Sequence, residues 1–157
     1  PPRSTLFPYT TLFRSPYRVA NAGDPMIPTV AGIISTASSQ TKVMLAGGTQ
    51  MAAVLAFGKI TGYNKDNLAV ATTSYVTDDP TANLVDTIRQ IDQVPVIAVR
   101  LALKDSKIEG LRAFANGFVK EGVGAGGASL AAMLKVGLSS EQLLHLTEKQ
   151  YEETISQ

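Results

Sequence analysis

One stretch, Lys120-Glu121-Gly122-Val123-Gly124-Ala125-Gly126-Gly127, concentrates the residue types most able to meet a ligand. Its four glycines admit positive φ angles and let backbone N–H groups approach a bound group closely. A helix starting near Gly127 would aim its N-terminus at the same space and favour an anion such as phosphate. The spacing reads equally well as a tight connection between two helices, with glycine used for packing. No Gly-Lys-Ser/Thr closes the loop, so it is not a P-loop, and no clear strand leads into it as a dinucleotide fingerprint requires. Glu121, at the mouth, is either a general base whose pKa an apolar slot would raise or an exposed neighbour of Lys120.

Two further polar clusters sit where strands should end. Gly47-Gly48-Thr49-Gln50 follows the apolar run Val43 to Ala46, and Thr72-Thr73-Ser74 with Asp78-Asp79 follows Leu68 to Ala71. Ligands of open α/β sheets bind outside the carboxyl ends of the strands. Taken singly, each cluster is also an ordinary cap or turn. His145, between Leu144 and Leu146, reads as a solvated or partly packed side chain on a surface helix.

The elements that must position these residues alternate in type. The sequence predicts a helix after Asp24-Pro25, a buried strand over 42–46, and an Ala-rich helix from Thr49 or Gln50 to about Ile60. A second strand over 68–72 leads into a polar loop. Asp79-Pro80 then opens a helix to about Ile91 with Ala82, Val85 and Ile88 on one face. A third strand covers 95–100. Beyond Lys104 the pattern turns helical: Glu109 to about Phe118, Ala128 to Lys135, and a last helix to about Ile155. Ser139 with Gln142 offers that helix a capping box, and Leu143, Leu144, Leu146 and Tyr151 offer it packing. Short apolar strands alternating with helices indicate an α/β, Rossmann-like three-layer unit. Its sheet is mostly parallel, of about three strands, and its C-terminal part is helical.

Composition narrows the function. The 157 residues suffice for one domain with a real core, and 45% hydrophobic against 17% charged residues is a globular balance. A net charge of +1 gives no electrostatic case for nucleic acid or a membrane surface. With no cysteine and one histidine, a disulfide frame, a thiolate site and a multi-histidine metal site are all excluded. No cofactor or metal is implied, no apolar run has bilayer length, and the expected compartment is the cytoplasm.

Residues 5 to 15, Thr-Leu-Phe-Pro-Tyr-Thr-Thr-Leu-Phe-Arg-Ser, look like the translation of a short-read sequencing adapter. Residues 1–15 are therefore expected to be an artefactual leader, and 16–157 the C-terminal part of a longer protein.

Three ordered motifs carry a resemblance: Leu45-Ala46-Gly47-Gly48-Thr49-Gln50-Met51-Ala52-Ala53; Thr72-Thr73-Ser74-Tyr75-Val76 with Asp79-Pro80-Thr81-Ala82-Asn83; and Gly110-Leu111-Arg112-Ala113-Phe114 running on to Gly127. Together they resemble the nicotinate-nucleotide–dimethylbenzimidazole phosphoribosyltransferase family, in its archaeal and cyanobacterial branch. The resemblance implies transfer of phosphoribose from nicotinate mononucleotide to 5,6-dimethylbenzimidazole, giving α-ribazole 5'-phosphate. It implies Glu121 as catalytic base and Gly122, Gly124, Ala125, Gly126 and Gly127 as the phosphoribosyl cradle. Gly47, Gly48, Thr49, Thr72 and Thr73 are weaker substrate contacts. It also implies small-molecule partners and a homodimer of the full-length parent. A second Gly/Thr-rich phosphate loop, usual upstream in that family, is missing, so the fragment is expected to turn over little. The alternatives are a non-catalytic nucleotide- or phosphate-binding α/β domain and a structural domain whose glycines only pack.

Overall fold

The protein is described from a computed structural model that covers residues 24–118 and 124–156. Three parallel strands form one sheet in the order β1 (Val43–Ala46), β2 (Leu68–Thr73), β3 (Val96–Val99). Leu45 is in register with Val70, and Thr73 with Val99. Among the described residues seven helices surround the sheet: α1 (Met26–Ala37), α2 (Thr49–Thr61), α3 (Ser74–Thr77), α4 (Leu84–Ile91), α5 (Glu109–Ala115), α6 (Ala125–Val136) and α7 (Ser140–Ile155). The expected α/β class with a helical C-terminal part is thus the observed one.

The two faces of the sheet are built differently. On one side α1, α2 and α4 pack a core of Ala31, Ile34, Val54, Leu55, Phe57, Leu84 and Ile88 against Leu45, Leu68 and Val70. Helix α2 lies inside this layer and buries Met51, Ala52, Val54, Leu55, Phe57 and Gly58, residues from most of its circumference. That is why its sequence is apolar without a clean polar face. On the other side α6 packs across all three strands. Its approach depends on absent side chains. A Cβ on Gly126 would lie 2.3 Å from the Thr72 carbonyl carbon, and one on Gly127 would lie 2.4 Å from Ala46 Cβ. Only glycine admits the helix backbone that close to the strands.

Several element boundaries differ from expectation. The helix expected from Asp79-Pro80 begins at Leu84, because Asp79 Oδ1 accepts from Thr81 N at 2.8 Å and from Thr81 Oγ1 at 2.6 Å and closes a local turn. Its buried face is accordingly Leu84 and Ile88. The loop expected after β2 contains the single turn α3. Helix α5 stops at Ala115, short of Phe118, and α6 begins at Ala125, earlier than Ala128. Helix α7 matches expectation, including the capping box between Ser139 and Gln142. Of its four proposed packing residues Leu144 is buried and Leu143 half-buried, while Leu146 and Tyr151 are exposed. Glu148 does the other anchoring: its carboxylate accepts from Ser106 Oγ and Lys107 N, both at 2.7 Å.

Candidate functional site

A cleft of about 1290 Å³ opens where the three strands end. Each strand contributes the segment that follows it: Gly48 to Gln50 after β1, Ser74 to Ala82 after β2, and Arg100, Leu101 and Lys104 after β3. Phe114 to Gly117, at the end of α5, complete the lining. This is the position at which parallel sheets present ligand sites, since loops there are free to vary while the strands hold them.

The first turn is compact. Gly47 N donates to the Ala71 carbonyl at 3.0 Å, and Gly48 O accepts from Met51 N at 2.9 Å, so the chain passes from β1 into α2 without an intervening loop. Gly48 and Thr49 line the cleft, whereas Gly47 is buried and outside its lining. At the second turn Thr72 and Thr73 are fully buried. Neither hydroxyl has a hydrogen-bond partner among the described residues. A buried polar group without a partner costs about 1–3 kcal/mol, so two in succession at the end of a strand require a reason.

Directly over these threonines stands the start of α6. Gly124 occupies its N-cap position, and among the described residues no side chain caps the first turn. The Gly126 Cβ position falls 2.5 Å from Thr73 N. The structure sets Gly126 against Thr72 and Thr73 and Gly124 beside the Ala46 carbonyl, and none of the four is in the lining of the cleft. It assigns Gly126 and Gly127 a packing duty as well, because both are buried against strands β1 and β2. Ala125 is exposed at the same helix start. Glu121 and Gly122 lie outside the described residues.

The cleft also contains side chains that motif reading passed over. The Tyr75 and Phe114 rings meet edge to face, 5.9 Å apart at 90°. Tyr75 Oη donates to the Leu101 carbonyl at 2.5 Å, joining the β2 and β3 segments. Burial pushes the Tyr75 phenol above its ordinary pKa, so it remains a donor at neutral pH. Arg100 and Lys104 were legible in principle, being cations at and just past the end of a predicted strand. The Tyr75–Phe114 pair, separated by 39 positions (114 − 75), was not. His145 is exposed, away from the lining, and no described group of three or more His, Asp and Glu residues could hold a metal ion.

These features define an α/β domain with a cleft at the carboxyl ends of a parallel sheet and a glycine-started helix beside it. No family model matches the chain. It is similar to a UPF0284 protein of Acaryochloris marina, 43% identical over 141 residues, which are 86% of this chain and 38% of the relative. A UPF0284 protein of Sulfolobus acidocaldarius is 42% identical over 139 residues, or 88% of this chain and 40% of the relative. One of Methanopyrus kandleri is 41% identical over 133 residues, or 83% and 35%. The chain thus spans well under half the length of these relatives. Their name corrects the family resemblance drawn from the motifs: the similar proteins are called UPF0284, not phosphoribosyltransferase. Among the described residues no helix is long and apolar enough to cross a membrane.

Proposed function

We propose that this domain binds a ribose phosphate at the junction of β2 and α6 and takes part in phosphoribosyl transfer. Nicotinate mononucleotide is the donor and 5,6-dimethylbenzimidazole the acceptor to assay. The observation that supports this reading most directly is the pair of buried, unpartnered hydroxyls on Thr72 and Thr73 beneath the uncapped start of α6. A phosphate there would take hydrogen bonds from Thr73 and from first-turn amides, in the favourable field of the helix N-terminus. The cleft beyond has room for the sugar and a ring.

In the reaction, one benzimidazole nitrogen attacks the anomeric carbon while the bond to the pyridinium nitrogen breaks. Nicotinate departs with that electron pair, and the N–H proton of the acceptor passes to a carboxylate, the part proposed for Glu121. Fixing the sugar phosphate supplies orientation for the attack. We place the reaction in the cytoplasm, where such nucleotides are made.

A second reading, binding without transfer, draws support from Gly126 and Gly127, whose packing against the strands accounts for two of the glycines without any substrate. Calorimetry with the chain tests the shared part: nicotinate mononucleotide should bind saturably, inorganic phosphate should compete, and Thr73→Val should weaken both at least tenfold. Failure of both ligands to bind removes the reading altogether. Product analysis with Glu121→Gln then separates the two, since loss of α-ribazole 5'-phosphate with intact nucleotide binding favours transfer. The comparison is made in the full-length parent, where absence of product favours binding alone.

A further inference from the structure

Helix α7 carries a stripe that the described residues cover at one end only. Leu144, Glu148, Tyr151 and Ile155 follow at the alternating spacing of four and three that keeps side chains on one helix face. The first two are buried, at 9% and 8% exposure. Glu148 accepts from Ser106 Oγ and Lys107 N, and Ser140 Oγ, one turn before Leu144, donates to the Arg100 carbonyl. Tyr151 and Ile155, on the same line, are 47% and 64% exposed. Apolar side chains scattered singly over a surface need no explanation, whereas these two prolong a face that is already packed.

The charges beside the stripe select what can cover it. Helix α7 has four glutamates, Glu141, Glu148, Glu152 and Glu153, against one lysine, Lys149. Glu152 and Glu153 border the uncovered half, and no basic residue stands in the last turn. Carboxylates there meet the negative end of the helix dipole, which favours cations. Lys107 Nζ lies 2.7 Å from Glu152 Oε1 and Lys149 Nζ 3.9 Å from Glu153 Oε1, but all four side chains are more than half exposed, and such pairs offset little. A second α7 laid on the stripe would bring like charges together, which disfavours self-pairing. We propose that the Tyr151 to Ile155 end of α7 is a docking stripe for an amphipathic helix of another polypeptide, one whose apolar face is flanked by Lys or Arg. Tyr151 and Ile155 seat between its apolar side chains, and its cations meet Glu152 and Glu153. The stripe is independent of what the cleft binds.

Two synthetic helices serve as probes. Both carry leucine at the first and fourth positions of each heptad, one with lysine and the other with glutamate at the flanking positions. Backbone NMR titration of the chain should show the lysine peptide binding at least tenfold tighter, with shifts centred on the last two turns of α7. The chain's net charge of +1 supplies no such preference by itself. Tyr151→Ser combined with Ile155→Ser should weaken that binding tenfold or more, while the unfolding midpoint stays native because both positions are exposed. Glu152→Gln combined with Glu153→Gln should erase the preference for lysine. Equal binding of the two peptides, binding of neither, shifts centred elsewhere, or binding that survives the Tyr151 and Ile155 changes overturns the proposal. Sedimentation equilibrium of the chain alone should show no self-association through the stripe. A dimer that the Tyr151 and Ile155 changes dissociate assigns the stripe to a second copy and likewise overturns it.

Discussion

The two faces of the sheet differ in what they ask of the sequence. The face under α1, α2 and α4 is filled by branched and aromatic side chains. The face under α6 is made by omission, with Ala46, Gly126 and Gly127 letting backbone meet backbone, and it carries the unpartnered Thr73 at its edge. Stability resides in the first face, and the second gives up side-chain packing for access to the strand ends. Hydrophobic periodicity reports the first and is nearly silent on the second.

Substitutions can test that division. Leu55→Ala, at a fully buried position, should cost about 3–4 kcal/mol, read from the midpoint of denaturant unfolding. A loss below about 1 kcal/mol would mean that the α2 layer is not the main core. Gly126→Ala should cost about 2–3 kcal/mol, since the added methyl meets strand backbone that cannot swing aside. If it is neutral, α6 does not seat as closely as described. Thr73→Val should raise stability of the unliganded protein by about 1 kcal/mol, because it removes a buried hydroxyl that has no partner. The same change should weaken phosphate binding, and a loss of stability instead would reveal a partner for the hydroxyl.

A smaller effect concerns pH. The Ser106 hydroxyl and the Lys107 amide hold the Glu148 carboxyl below the usual carboxylate range. A depressed folded-state pKa contributes stability that is present above the unfolded value of about 4.3 and is lost as pH falls through the folded value. Unfolding measured from pH 7 down to pH 3 should therefore show a shallower acid decline in Glu148→Gln than in the native chain. Parallel declines would mean that Glu148 contributes nothing through ionisation.

The fold was largely legible because its signals are local. The runs Val43 to Ala46 and Leu68 to Thr73 are apolar enough to be strands, and Ser139 with Gln142 announces the start of α7 from four adjacent positions. The start of α4 was misplaced because Asp79-Pro80 supports both a helix cap and a turn. The turn prevails when Asp79 engages Thr81. The site was legible only in part. Thr72, Thr73, Gly48 and Thr49 follow from the rule that strand ends carry ligands. Two functions of Gly126, packing and access, look identical in a sequence, and only the distance to Thr72 separates them. The Tyr75–Phe114 pair and the clamp of Ser140 on Arg100 are tertiary, so no local pattern could announce them.

Helix α7 is riveted twice to the stretch that walls the cleft, at Arg100 through Ser140 and at Ser106 and Lys107 through Glu148. Its 16 residues make a rigid rod about 24 Å long, and Tyr151 and Ile155 at the far end are exposed. A displacement of one attachment relative to the other would tilt the rod. A label near Ile155 would then register ligand arrival as a magnified swing, far from the chemistry that caused it.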